Sequence, residues 1–575
     1  MWLLQTPKEM WVFLKKIPYK RRMWCAFLYA CTSGAWGCFT DNTRLSSESS
    51  HTYNEEVPAG VFFKKGDVSG QVWYVYVPTV CHSEQCFLAY EQSYKKPVRG
   101  CVVMLVEENP PFRVFAKTHT DHEGFYTFQG GFWVASHVHV VVQASLEAFP
   151  VYVRDNTLPE EPVHTVVSSS FAWKPGVRQD VVASSGWLGG GYTSEREAAP
   201  FAVVDVLYEA YTHLDSQEAL SVLRTTPLDV YWSSLNQPQW GYLHQGDIGT
   251  THWDLRTHKM YVLGAENTDT DEYDAHVIAH EWAHAMESFL ARSDSKGGPH
   301  GNATALLDPR LAFSEGFADA VAGLVLNQPL YTDTMGMRQQ YTGYAADIEN
   351  NAFPLQGWYS EGAVRNLLYD LGDTSNESFY DTTSVGVQGL VSALMHKHAQ
   401  TPAFTSVFSF LNAFKDTSPF LQEACDISSA WNGVSPVQNE WAEGETHHPH
   451  ESAYLPVFQK STWDTPYTLH FVIPPETPRQ ASLGAHKWMY LALDETKRVS
   501  IKIFSEQAVV ASLYQRGELV SKSPVVCWDM PCEAVLFDQT LTPGFWVLDI
   551  ESVETHAPVC DTCSSVFKAV VRVAL

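Results

Sequence analysis

The chain has 575 residues, 45% of them hydrophobic and 18% charged, the balance of folded globular domains rather than of disorder. That length exceeds what one hydrophobic core supports and predicts about two to four domains. Against 38 basic side chains stand 65 acidic ones, and the net charge of −27 repels phosphate backbones, which argues against nucleic acid as a partner.

Basic residues bunch at the front, where Lys15, Lys16, Lys20, Arg21 and Arg22 precede an apolar run over 23–30 that resumes at 34–36. Basic then apolar is the order of an export signal, here spanning 1–40, and the run is shorter than the ~20 residues of a spanning helix. Cys31 follows Ala30 and Cys38 follows Gly37, as in relaxed lipoprotein cleavage boxes. Lipid on either cysteine would anchor the mature chain; an ordinary signal peptide would release it. The chain is therefore expected in the cell envelope as a lipoprotein, in the periplasm or outside the cell, with membrane contact only through that anchor. Of eleven cysteines, Cys25, Cys31 and Cys38 belong to this segment, leaving Cys81, Cys86, Cys101, Cys425, Cys527, Cys532, Cys560 and Cys563. An even number in an exported chain predicts disulfides. Cys527-x4-Cys532 with Cys560-x2-Cys563 also has the form of a four-thiolate zinc site, which an oxidising compartment disfavours.

From 60 to 180 the chain is a series of short runs rich in Val, Tyr and Phe, at 68–77, 100–107, 124–129 and 136–143, without helical periodicity between them. A small β-sandwich is the expected result. Within it, Thr120-Asp121-His122-Glu123-Gly124-Phe125-Tyr126 resembles the hairpin turn of carboxypeptidase regulatory-like domains. The resemblance implies that Asp121 and Gly124 shape the turn and Tyr126 enters the core. Glycines at 186 and 189–191 then break the pattern; no Lys-Ser/Thr follows them, so they are not a phosphate loop.

Helical periodicity begins at 200–214, yields briefly to strand-like runs at 228–232 and 260–263, and continues to about 430. The segment 271–287 holds His280-Glu281-Trp282-Ala283-His284. On a helix, residues four apart differ by only about 40° around the axis, so the two imidazoles face the same way and can share one metal ion. Glu281 sits beside that face, in reach of a water on the metal. Burying two imidazoles and a carboxylate is reasonable where a dication compensates them. A catalytic zinc ordinarily takes three protein ligands, so a third belongs on a nearby element. About thirty residues on, the helical stretch 312–323 sets Glu315 and Asp319 four apart on one face.

These two motifs together resemble the gluzincins, the thermolysin-like zinc metallopeptidases, over roughly 200–430. The resemblance implies a central α+β zincin-like metalloprotease domain over 190–435 holding one catalytic Zn2+. It makes His280, His284 and Glu315 the ligands and Glu281 the general base. Asp319 becomes the acceptor that orients a ligand imidazole, expected to be His280. It also implies a Tyr or His that stabilises the oxyanion, for which Tyr341, Tyr344, Tyr359, Tyr369, His396 and His398 are all available. The loop 292–300 between the motifs makes the spacing longer than in thermolysin; its His300 is read as a surface hydrogen-bonder, with entry into the cleft as the alternative. His447, His448 and His450 read as part of a linker.

From 454 the pattern returns to strands at 467–473, 488–493, 499–504, 508–514 and 545–551. They predict a second sandwich over 452–575, vaguely similar to the pre-peptidase C-terminal domains of secreted bacterial proteases. The whole reads as a multidomain chain: N-terminal β-sandwich, central metalloprotease domain, C-terminal β-sandwich. The expected activity is zinc-dependent endopeptidase action on a protein or peptide substrate. Two alternatives stand beside it: a surface-exposed adhesin or binding protein whose protease-like domain is inactive, and a related enzyme with another substrate, such as an aminopeptidase. No Gly-x-Met-Glu-Asn-type exopeptidase signature supports the latter.

Overall fold

The computed structural model describes residues 61–574, apart from 83–84, 136, 301–303, 340–341, 350–354, 375–383, 418–433, 436, 450–451, 475–480, 525–531 and 554–564. The expected signal segment with Cys31 and Cys38, and also Tyr341, Cys425, Cys527, Cys560 and Cys563, lie outside the described residues. The chain is multidomain and rich in β-sheet.

Strand Val68–Tyr76 alternates buried and half-buried side chains, the period of a sheet with one face on the core. It pairs antiparallel with Phe125–Phe128 and Tyr94–Pro97 and parallel with Val181–Ala183. At the turn before Phe125, Asp121 Oδ1 accepts the amides of Glu123 and Phe125, both at 2.9 Å. Gly124 holds φ +82° with Val72 O only 2.6 Å from where a Cβ would stand, so no side chain fits there. Tyr126 is buried in the core. A disulfide between Cys81 and Cys86 closes the hairpin of Thr79–His82 and Gln85–Leu88.

A second sheet begins in the same region and does not end there. Its strands Val114–His119, Cys101–Glu107, His137–Leu146 and Val151–Arg154 continue into Leu228–Trp232, Lys259–Val262 and finally His252–Asp254 at the edge. Val151–Arg154 and Leu228–Trp232 run parallel in register, Val151 beside Leu228 and Val153 beside Val230. The boundary expected between 180 and 190 is thus bridged by one continuous sheet. Residues from Val68 to Val325 and beyond share one hydrophobic core.

The helices are α1 (Ala199–His213), α2 (Gln217–Leu223), α3 (Ala275–Leu290), α4 (Pro309–Leu326), α5 (Glu361–Gly372), α6 (Gly386–Ala393) and α7 (Val407–Thr417); α1 and α3 pack on this sheet, and the others pack onto these and onto one another. α4 lies between α3 and α5 and is buried along nearly its whole length, with Ser314, Glu315 and Asp319 as its buried polar residues beyond the first turn. Asp308 caps it by accepting the Arg310 amide, and Pro309 supplies the pre-set φ of a first turn. Gly316 lets α5 approach: a Cβ there would stand 2.8 Å from Glu361 O and 2.9 Å from Arg365 N.

The last domain has two facing sheets. One contains Phe458–Lys460, His486–Leu493, Gly544–Ser552, Val509–Gln515 and Glu518–Lys522; the other Pro466–Ile473, Ser565–Ala574, Lys497–Ser505 and Cys532–Leu541. A separate core that includes Phe471, Met489, Ile501, Leu548 and Val571 fills the space between them. This domain grips the start of α4. Asp308 N donates to Ala481 O at 2.8 Å and Leu483 N to Leu306 O at 2.7 Å. Arg310, 2% exposed, pairs with Asp308 at 2.7 Å and with Asp549 of the sandwich at 3.4 Å, its guanidinium lying over Phe404 and Trp488. Burial would raise Asp549, but His486, Arg310 and Lys296 hold it well below the usual carboxylate range.

Candidate metal centre

α3 carries His280, Glu281 and His284 and α4 carries Glu315 and Asp319, so the packing of two helices assembles the site. The side chains of all five are mostly or fully buried. His280 Nε2 stands 3.0 Å from His284 Nε2 and 3.2 Å from Glu315 Oε2, and His284 Nε2 stands 3.1 Å from the same carboxylate oxygen. Zinc bonds of ~2.0–2.1 Å at tetrahedral angles separate neighbouring ligand atoms by roughly 3.3 Å, so the two nitrogens and the oxygen fit a single ion.

The outer nitrogens are held so that the inner ones keep their lone pairs. His280 Nδ1 meets Asp319 Oδ1 at 2.8 Å, and Arg365 Nη1 lies 3.6 Å from the other Asp319 oxygen. His284 Nδ1 lies 3.3 Å from Ser314 Oγ, which in turn donates to Glu287 Oε2 at 2.9 Å. An acceptor at Nδ1 puts the proton there and frees Nε2 for a metal. With protons as the only counter-charges, burial lowers His280, but hydrogen bonds to Asp319 and Glu315 outweigh it and push it up to about 10. Burial would raise Glu315; His300, His284 and His280 instead hold it well below the carboxylate range. A cation among these groups competes with protons for the same lone pairs.

The site opens into a cleft of about 1000 Å³. Glu281 faces it, one oxygen accepting the Trp253 amide of the edge strand at 2.6 Å. His300 also faces it: the loop folds inward, Nδ1 bonded to Glu361 Oε2 at 2.8 Å and Nε2 3.6 Å from Glu315 Oε2. Of the expected oxyanion candidates, Tyr344 lines the cleft. Tyr359 is turned to His447, at 3.0 Å, and so ties the supposed linker to the helical core. Tyr369 is buried at Gly323, His396 pairs with Glu218 on the surface at 3.5 Å, and His398 is buried against Ser409. Glu287, Ser314, Arg365 and the cleft-lining Tyr331 are not among the residues the sequence motifs point to. Ser314 adjoins Glu315, and Glu287 follows His284 by three residues, the spacing of one helix face.

Residues 222–413 match the family described as the Mycolysin C-terminal domain, a span that includes α3 and α4. No curated protein matches the chain. Among solved structures, the pre-peptidase C-terminal domain of a collagenase from Bacillus anthracis is 11% identical, covering 22% of this chain and 99% of its own, with a TM-score of 0.15. A 9R-lipoxygenase from Cyanothece PCC8801 is 9% identical, covering 29% of this chain and 25% of its own, with a TM-score of 0.13. Scores this low carry no argument about fold or function. Over 222–413 the chain is similar to a protease-related domain.

Proposed function

We propose that the chain is an exported zinc-dependent endopeptidase of the gluzincin type. The observation that carries the reading is the meeting of His280 Nε2, His284 Nε2 and Glu315 Oε2 within 3.0–3.2 Å, from two helices, with an orienting partner behind each imidazole. His280, His284 and Glu315 would hold the ion. When bound, zinc supplies Lewis acidity, which brings the pKa of a water to roughly 7 and polarises a carbonyl.

The rest of the chemistry belongs to the chain. The Trp253 amide fixes one Glu281 oxygen, leaving the carboxylate aimed into the cleft as general base and then as proton donor to the departing amine. His300 faces the cleft with Nδ1 bonded to Glu361 Oε2 at 2.8 Å. Its imidazolium, gripped by Glu361, can donate from Nε2 to the developing oxyanion. The edge strand His252–Asp254 borders the cleft, where an extended peptide can add alongside it. The Cys81–Cys86 disulfide supports an oxidising location.

Purified protein is assayed for bound metal and for chelator-sensitive cleavage of casein. We expect one zinc per chain, lost in Glu315→Ala and kept in Glu281→Ala, with cleavage abolished in both. Wild-type protein free of metal at neutral pH after zinc loading would end this reading. Full metal content without turnover of any substrate would favour the inactive binding protein.

A further inference from the structure

The loop 292–300, between α3 and α4, forms part of the cleft wall through Gly297, Gly298, Pro299 and His300. Nothing within the loop accounts for its shape. It contains no helix or strand, and among the described residues no backbone–backbone hydrogen bond involves it. Gly297 and Gly298 both hold positive φ, where the chain is least constrained by its own side chains.

The shape is imposed from outside, and the C-terminal sandwich touches the loop at three points. At the start, Arg292 Nη1 donates to Arg516 O at 2.8 Å, in the turn between strands Val509–Gln515 and Glu518–Lys522. Gly517 of that turn lies so close that a Cβ there would overlap Asp294 Oδ1 and stand 2.6 Å from Arg292 Nε. In the middle, Lys296 Nζ reaches Asp549 Oδ2 at 3.3 Å and Glu551 Oε2 at 3.4 Å, both on strand Gly544–Ser552. Further on, Gly298 lies against Ala481. Residues 292–294 are held a second time, by Thr401, Ala403 and Thr405. Between Asp294 and His300, by contrast, Lys296 is the one charged side chain.

Asp549 does not depend on Lys296, because His486 and Arg310 pair with it at 2.9 and 3.4 Å. The lysine side chain is 33% exposed, where an ion pair adds little to stability. The attachment therefore matters to the loop more than to the sandwich.

We propose that the sandwich is a working part of the active centre, and that Lys296 is a positioning residue that ties the loop to Asp549 and Glu551 so that His300 is presented to the cleft. This rests on the reading of His300 as the donor to the oxyanion. A reacting or stabilising group misplaced by about 1 Å costs up to roughly 100-fold in rate, and a loop without bonds of its own keeps its place only while its anchors hold.

The test is a double-variant cycle on the full chain: wild type, Lys296→Met, His300→Ala and the two together, with Lys296→Arg as the conservative replacement. Urea unfolding first establishes that each is folded. Lys296→Met should lower kcat by about 10-fold, with KM and bound zinc unchanged. In the His300→Ala background the same change should cost nothing more, since a residue that acts through His300 then has nothing to position. Lys296→Arg should restore most of the rate. A second measurement needs neither zinc nor cleavage. Diethyl pyrocarbonate modifies imidazoles, and in metal-free protein His300 should react faster in Lys296→Met than in the wild type, with the exposed His396 as internal reference. Wild-type kcat in Lys296→Met, an equal loss in both backgrounds, or an unchanged rate of modification at His300 overturns the proposal. Should the wild type neither hold zinc nor cleave, the endopeptidase reading fails on its own, and the modification rate alone decides whether Lys296 holds the loop.

Discussion

Replacing Asp319 by Asn removes a charge while hardly altering volume, and the surroundings of the side chain define what should follow. Its Oδ1 sits 2.8 Å from His280 Nδ1 and its Oδ2 3.6 Å from Arg365. Asn can still accept the imidazole proton through its oxygen, so His280 keeps its tautomer and angle. What goes is the negative charge that raises the basicity of Nε2 and partners Arg365. Loss of such support costs a metal roughly 10- to 100-fold in affinity, about 1.4–2.7 kcal/mol. Stability should fall by about 1–1.5 kcal/mol, the difference between a charge-assisted hydrogen bond and a neutral one. Asp319→Ala should cost more in both respects, since it leaves the imidazole without an acceptor. Zinc affinity is read by competition with a chelator of known strength, on wild type and both variants, after urea titration shows each is folded at the assay temperature. Equal zinc affinity in all three would refute the reasoning and leave Glu315 without its companion motif.

His300→Ala should lower kcat by about 100-fold with zinc content unchanged, if its Nε2 serves the oxyanion; metal analysis beside steady-state kinetics checks this. Arg310→Met should destabilise the chain by about 3–5 kcal/mol in urea unfolding, because Asp308 and Asp549 stay buried without their guanidinium. Asp269, Asp271 and Asp333, which also line the cleft, predict a pH dependence. Asp333 titrates at about 7 in the folded protein and near 4 when unfolded, so its contribution to stability is full below about 4 and is lost as pH rises through about 7. The stability of Asp333→Asn relative to wild type should therefore increase from pH 5 to pH 8, as read by thermal midpoints; an unchanged difference would contradict it.

The residues of the candidate metal centre were legible because each half obeys a local rule. His280 with His284, and Glu315 with Asp319, are one helical turn apart, and the helix alone puts each pair on one face. Which partner each acquires is set by packing. Arg365 reaches Asp319 from α5, and Glu287 reaches Ser314 from α3 to α4. No spacing announces such pairs. His300 sits in a stretch whose composition reads as loop, and its bond to Glu361 turns it toward the site. The strand runs were legible by alternation, whereas their order in the sheet was not. Val151–Arg154, four residues long and outside the runs the sequence marks, pairs with the expected run Leu228–Trp232, and nothing local in either names the other as neighbour.

That parallel pairing bears on how the chain reaches its native state. A chain made on a ribosome emerges from its N-terminus, and strand Val151–Arg154 appears well before Leu228–Trp232 and Lys259–Val262, which complete its sheet. Until then the growing sheet has an open apolar edge, the feature that invites pairing with another chain. Parallel contacts at such separation form slowly, because the intervening loop must close first. The leading β region is therefore not a finished module on its own. It matures together with the helices, and truncations that stop between 155 and 262 should collect as aggregates rather than as a soluble domain.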